Sequence, residues 1–291
     1  MLYIILSICF SVTVSIMLKL AKRYHIDVYQ AITWNYSMAI ILTWIFLKPQ
    51  LQNLQNAPIF TYSLLALLLP ALFIILAVSV RLSGIVRTDI AQRLSLFIPI
   101  IAAFLLFGEK ITPLKSIGIA VGFTAIICTI PWGRNPENKT HYESRRASGN
   151  AWVYLLIVFI GMGVIDVLFK QIAAFKAIAY NSSLFIVFVL AFIFSLIGLL
   201  YQVITKKMRF SWPHILIGWV LGIANFGNIL FYLKAHKALA NQPSTVFSAM
   251  NIGVIVAGAL TGLIVFKEKL SLLNKAGIVI AIIAIIVIAK S

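Results

Sequence analysis

Acidic side chains are nearly missing from this chain, with seven Asp and Glu in 291 positions against 24 Lys and Arg. Charged residues of both signs together make up 11%, where a soluble domain carries about 25%. Cysteine is down to Cys9 and Cys128, both inside apolar stretches, so no disulfide framework is indicated. The four histidines, His25, His141, His214 and His236, are scattered and lack the spacing that would hold a metal. No Walker-type glycine loop is present to cradle ATP, no serine sits in a nucleophile elbow, and the H-E-x-x-H of a membrane metalloprotease is absent. These absences set the expectation of a chain that is not an enzyme, binds no cofactor or metal, and is not itself driven by ATP.

Apolar sequence is what the chain has in abundance. Hydrophobic residues fill 62% of it, against roughly 45–50% in a soluble domain. A spanning helix needs about 20 largely apolar residues to cross a hydrocarbon core of about 30 Å. Ten runs qualify: Met1–Ala21, Val28–Leu47, Ile59–Val80, Ile90–Phe107, Pro113–Ile130, Ala151–Lys170, Ser182–Ile204, His214–Tyr232, Ser244–Phe266 and Leu270–Ala289. In lipid an open strand leaves its backbone N–H and C=O groups unpaired, so all ten are expected to be helical. The fold class is therefore all-α and integral to the membrane, with ten transmembrane helices. Met1–Ala21 has no basic stretch ahead of it and no small-residue cleavage site after it, and reads as the first helix rather than a signal peptide.

The net charge of +17 would suggest nucleic acid in a soluble protein. No loop carries a basic stripe with interleaved aromatics, so loop cations that set orientation are the simpler source, with lipid and not nucleic acid as the partner. Sixteen Lys and Arg lie on the side of the loops after odd-numbered helices and eight on the other side. That excess puts the odd-numbered loops in the cytoplasm and both termini outside.

Trp132–Asn150, rich in Pro, Gly, Asn and mixed charge, divides the runs five and five. Residues 1–131 and 151–291 then form two units flanking a polar linker at 132–150. The stretch from Phe107 (FGEKITPLKSIGIAVGFTAII) matches that from Phe266 (FKEKLSLLNKAGIVIAIIAII) 159 positions later, pairing Glu109 with Glu268, Lys110 with Lys269 and Gly118 with Gly277. A weaker match at offset 151 pairs Lys19 with Lys170 and Ser15 with Asp166. Two similar units of five helices in series must lie upside down relative to each other. That is inverted-repeat architecture, in which substrate binds near the midplane and rocking of the repeats alternates access.

On these duplicated pairs, Glu109-Lys110 and Glu268-Lys269, each followed eight or nine residues later by Gly118 or Gly277, the chain resembles the drug/metabolite transporter superfamily and its ten-helix EamA-like carriers. The resemblance implies a bacterial inner-membrane exporter or importer of small metabolites, with a central cavity lined by helices 1, 3, 4, 6, 8 and 9. It also implies cytoplasmic termini, against the count of loop charges. Gly258 stands in the second half where the first has Pro99, a departure from the duplicated pattern.

Ionisable groups at membrane depth are costly and mark functional candidates. Asp166, deep in the sixth run, is either a proton- or cation-coupling carboxylate or one half of a structural i,i+4 pair with Lys170, which would then snorkel to the interface. Gly161 and Gly163 beside it admit another helix or a ligand. Lys19 either snorkels or binds an anionic group of the substrate. Arg93, with Asp89 four residues before it as a helix cap and ion-pair partner, is the alternative carboxylate-binding residue at a cavity mouth, and Pro99 bends the same helix. Asn225, Asn228 and Tyr232 share one face of the eighth run, and Ser248 and Asn251 lie on the ninth; each set either joins helices or orients a polar substrate. Glu109, Lys110, Glu268 and Lys269 read as structural at helix ends. Gly118-xxx-Gly122 and Gly277-xxx-Ala281 suit close packing in a scaffold or a homodimer. The expectation is a secondary transporter of a small amphipathic metabolite by alternating access, proton-coupled or exchanging; the alternative is a membrane enzyme or flippase acting on lipid-linked intermediates.

Overall fold

The structure, a computed structural model, describes residues 1–23, 26–50, 55, 57–129, 151–205, 207–208, 210–264 and 271–290. The polar linker Trp132–Asn150 and the second glutamate–lysine pair, Glu268-Lys269, lie outside them. All regular structure among the described residues is helical: α1 Leu2–Arg23, α2 Val28–Leu42 continued by a π-helical turn Thr43–Leu47, α3 Ile59–Ser83, α4 Ile85–Leu94, α5 Phe97–Leu105, α6 Pro113–Thr129, α7 Ala151–Ala174, α8 Tyr180–Ile204, α9 Pro213–Ala238, α10 Pro243–Ile264 and α11 Leu272–Ala289. Among the described residues eight segments are long and apolar enough to cross a membrane, Arg87–Leu105 counting as one, and Leu2–Leu18 and Pro113–Thr129 are shorter apolar helices. The chain is a multi-pass membrane protein.

The fourth apolar run is two helices. Pro99 has no N–H to give the carbonyl of Ser95, and its ring would clash there. The helix breaks at that carbonyl, which accepts from Ile98 N at 3.0 Å instead. The bend expected from Pro99 is thus a break, and α4 reaches back to Ile85, beyond the apolar run. Asp89 lies inside α4 and caps nothing; the N-cap is Gly84, at φ +86°.

The helices group into two compact units, one of Met1–Ile74 with Val167–Ala240, the other of Ile75–Asp166 with Asn241–Ser291. Each unit draws on both sequence halves, and α3 and α7 run from one unit into the other.

In the first unit α1 and α9 run antiparallel. The Ser7 hydroxyl donates to Asn228, 2.9 Å from its backbone and side-chain oxygens, Phe10 covers Gly227, and Val14 packs with Leu221 and Ala224. α2 and α9 run parallel in close contact. A Cβ on Gly218 would lie 2.7 Å from Ala31 O, and one on Gly222 would lie 2.6 Å from Asn35 O. These two small residues four apart let the backbones meet, as in membrane helix pairs generally. α8 lies antiparallel to α2 through Trp34–Phe192, Tyr36–Phe188 and Trp44–Phe185. Asn181 Nδ2 and Ser182 Oγ donate to the carbonyls of Leu47 and Gln50, satisfying the frayed end of α2.

In the second unit α6 and α11 run antiparallel, and their glycines make matching contacts. Gly118 lies against Val287 and Ile288, and Gly277 against Cys128 and Thr129. Cys128 and Val287, like Thr129 and Ile288, are 159 positions apart, the same offset as the two glycines. The start of α11 is fixed on the end of α6 by a capping box between Ser271 and Asn274, whose Nδ2 also donates to the carbonyls of Cys128 (3.2 Å) and Thr129 (2.9 Å). The glycine faces of these two helices are therefore filled from within the chain, which selects scaffold over dimer contact for them.

Candidate functional site

Among the described residues, polar groups buried between the helices collect in two places, one in each unit. In the first, α7 and α9 carry a contiguous buried set. The ring of Tyr232 meets Phe169 edge-on at 5.9 Å and His236 at 4.7 Å. Lys170, 2% exposed, sits within electrostatic range of His236 and donates from Nζ to the carbonyl of Ala240 at 2.7 Å. Ala240 follows the last turn of α9, where orphan carbonyls and the negative end of the helix dipole both favour a cation. Lys170 is held inside the protein rather than reaching out from it. A lysine buried this deeply is costly unless hydrogen-bonded and compensated, so the end of α9 is part of what holds its charge. Asp166, one turn earlier on α7, is partly exposed and belongs to the second unit by its packing.

The other polar positions of α9 divide their roles. Asn228 is committed to Ser7 of α1, the interhelical use of an amide. Asn225 is buried at 5% exposure. Lys19 falls within α1, but its side chain lies outside the described residues.

In the second unit Arg93 Nε meets Asp89 Oδ2 at 2.7 Å, and its Nη1 reaches Thr129 Oγ1 at 3.4 Å. Arg93 thereby ties α4 to the end of α6, keeping the ion-pair half of the structural reading while the capping half is lost. Gly163 of α7 faces the α4–α5 break: a Cβ there would be 2.6 Å from Ile98 Cβ and 2.9 Å from Ser95 O. The close approach at this glycine is made by a helix, not left for a ligand. On α10, Asn251 Nδ2 bonds back to Phe247 O, whereas the buried hydroxyls of Thr245 and Ser248 find no hydrogen-bond partner among the described residues.

Glu109, read as structural at a helix end, is the most deeply bonded acid among the described residues, and its partners were not foreseen. Its carboxylate is buried and accepts from Lys115 Nζ at 2.5 Å, Ser244 N at 2.7 Å and Ser244 Oγ at 2.7 Å. It caps the start of α10, where unpaired N–H groups and the helix dipole favour an anion. Lys110, its sequence neighbour, is exposed and takes no part in that pairing.

His236 was set aside in the sequence as a stray histidine. What marks it out is its spacing from Tyr232, four residues on one face of α9. Ser7, Phe169 and the Ala240 carbonyl left no signal, since a serine or phenylalanine among apolar residues is indistinguishable from packing.

No family model matches the chain. An uncharacterized protein of Haemophilus influenzae is 40% identical over 291 residues, 97% of this chain and 95% of its own length. Among solved structures, one protein's crystal structure matches 98% of this chain and 94% of its own with a TM-score of 0.71 at 12% identity, a likeness of fold alone.

Proposed function

We propose that this chain, which belongs to one family with the Haemophilus influenzae protein, is a secondary carrier that moves a small amphipathic metabolite across a bacterial inner membrane by alternating access. The observation that carries this reading is the matched packing of α6 and α11. Gly118 on Val287–Ile288 and Gly277 on Cys128–Thr129 are the same contact made twice between antiparallel helices, with equivalent residues 159 apart. Contacts that interchange in this way are what a two-fold axis across the helix pair produces, and such an axis lies in the membrane plane. This supports inverted repeats of 1–131 and 151–291, the architecture of carriers whose two halves exchange conformations. The resemblance to EamA-like members of the drug/metabolite transporter superfamily points the same way.

The buried polar set supplies the chemistry. Asp166 serves as the coupling carboxylate, binding a proton or giving it up as its access changes. Lys170, Tyr232 and His236 form a cationic and aromatic wall on α7 and α9 that suits a solute with both apolar and charged parts. Asn225, on the same helix as Tyr232 and His236, orients its polar groups. The chain has no ATP-binding loop, so solute or proton gradients drive it.

Purified protein in liposomes, screened for uptake over a broad metabolite panel with and without a pH gradient, tests the reading. Wild type is expected to accumulate at least one amphipathic solute, and Asp166→Asn to lose the response to the gradient. A panel with no transported solute sinks the carrier; normal gradient-driven uptake by Asp166→Asn sinks the coupling role alone.

A further inference from the structure

Basic residues outnumber acidic ones eleven to one in the sequence of the first unit, where Asp27 is the only acid. Asp27 caps the start of α2, with its carboxylate 3.1 Å from Gln30 N. At the other end of this unit α1, α3 and α8 begin while α2, α7 and α9 finish, as fixed by Ser7 with Asn228, Asn181 with Leu47, Tyr62 with Ser183, and Lys170 with Ala240. Lys48, Lys176, Lys234 and Lys237 stand there with no acidic residue among them.

The ammonium of Lys234 lies 5.6 Å from the centre of the Phe231 ring and 5.9 Å from that of Tyr3, and Lys237 lies 4.8 Å from the Tyr180 ring. Lysines set on aromatic rings at helix ends belong at the headgroup level of a bilayer. At this same end of the unit Trp44, Ile45 and Phe46 at the end of α2 and Phe60 at the start of α3 are 56–80% exposed.

We propose that this end of the first unit binds the headgroup of an anionic phospholipid, with Lys234 and Lys237 meeting the phosphate and the exposed α2 and α3 side chains meeting the acyl chains. A free anion would use the lysines but not the exposed apolar side chains at this end; a lipid uses both. The proposal rests on the membrane-spanning fold and is independent of whether the chain is a carrier.

Native mass spectrometry of the detergent-purified protein titrated with phosphatidylglycerol or phosphatidylcholine provides the test. Wild type should retain phosphatidylglycerol in preference to phosphatidylcholine. At about 1 kcal/mol per surface lysine, Lys234→Gln with Lys237→Gln should weaken that retention about 30-fold. The charge-keeping Lys234→Arg with Lys237→Arg should restore it. Lys207→Gln with Lys275→Gln, an equal loss of charge elsewhere, should leave it intact. Equal retention of the two lipids by wild type, wild-type retention in the glutamine pair, or an equal loss in the control pair would each overturn the proposal. So would displacement of phosphatidylglycerol by millimolar inorganic phosphate, which would leave only a general anion site.

Discussion

Glu109→Ala should lower the stability of the detergent-solubilised protein by about 3–5 kcal/mol, the scale for removing one partner of a buried, hydrogen-bonded ion pair. The substitution strands the Lys115 ammonium inside the protein and removes two hydrogen bonds from the start of α10. A stranded buried charge costs more than the pair contributes, and that asymmetry yields a second expectation. Lys115→Met alone leaves Glu109 with its two bonds to Ser244, so it should destabilise less than Glu109→Ala. Glu109→Gln combined with Lys115→Met keeps an acceptor at Ser244 and removes both charges, so it should recover much of the loss. Thermal unfolding followed by tryptophan fluorescence, with all four proteins in one detergent, makes the comparison. If Glu109→Ala melts with the wild type, the carboxylate does not hold α10. If the double variant is no better than Glu109→Ala, the cost lies in lost packing rather than in an unpaired lysine.

Glu109 also marks the boundary of what could be read from the sequence. Its recurrence with Lys110 at a helix end was visible, and it made the repeat a defined offset. Its partners were not. Lys115 is six residues away across a turn, and Ser244 is 135 residues away at the head of another helix. Neither distance follows from a periodicity. The apolar runs, by contrast, were legible to within a few residues at most ends, because lipid demands about 20 consecutive apolar positions and imposes that demand locally. The largest misses are the start of α4, where Arg87, Asp89 and Arg93 dilute the pattern, and the end of α9, which continues past Tyr232 through Lys234, His236 and Lys237 to Ala238. Pro99 announced a bend, and its position four residues past Ser95 set where the break fell. The interleaving of the two halves in each compact unit lies beyond any reading of the runs, since one apolar helix surface looks much like another in composition.

The close contact of α2 with α9 was also written in the sequence, as Gly218 and Gly222 four apart, yet only the equivalent stripes on α6 and α11 stood out because those recur. This contact supports the second large effect. Gly218→Ala and Gly222→Ala should each destabilise by about 1–3 kcal/mol, the usual cost of forcing extra atoms into a packed contact. The new methyl would meet backbone, Ala31 O at 2.7 Å and Asn35 O at 2.6 Å, with Trp34 Cβ and Met38 Cβ as close behind. No side chain can turn away to relieve it, so α9 must move off α2 and carry Tyr232 and His236 with it. Uptake of any transported solute should therefore fall with stability in these variants. Gly258→Ala, in α10, is the same chemical change with the opposite expected sign. Nothing lies within 4 Å of a Cβ there, so alanine's better helix propensity should add about 0.5–1 kcal/mol. Melting temperatures of the three variants decide the matter. Losses of similar size at positions 218, 222 and 258 would mean that glycine is wanted in these helices for backbone flexibility, whereas losses at 218 and 222 with a gain at 258 would assign them to the direct contact of two helix backbones.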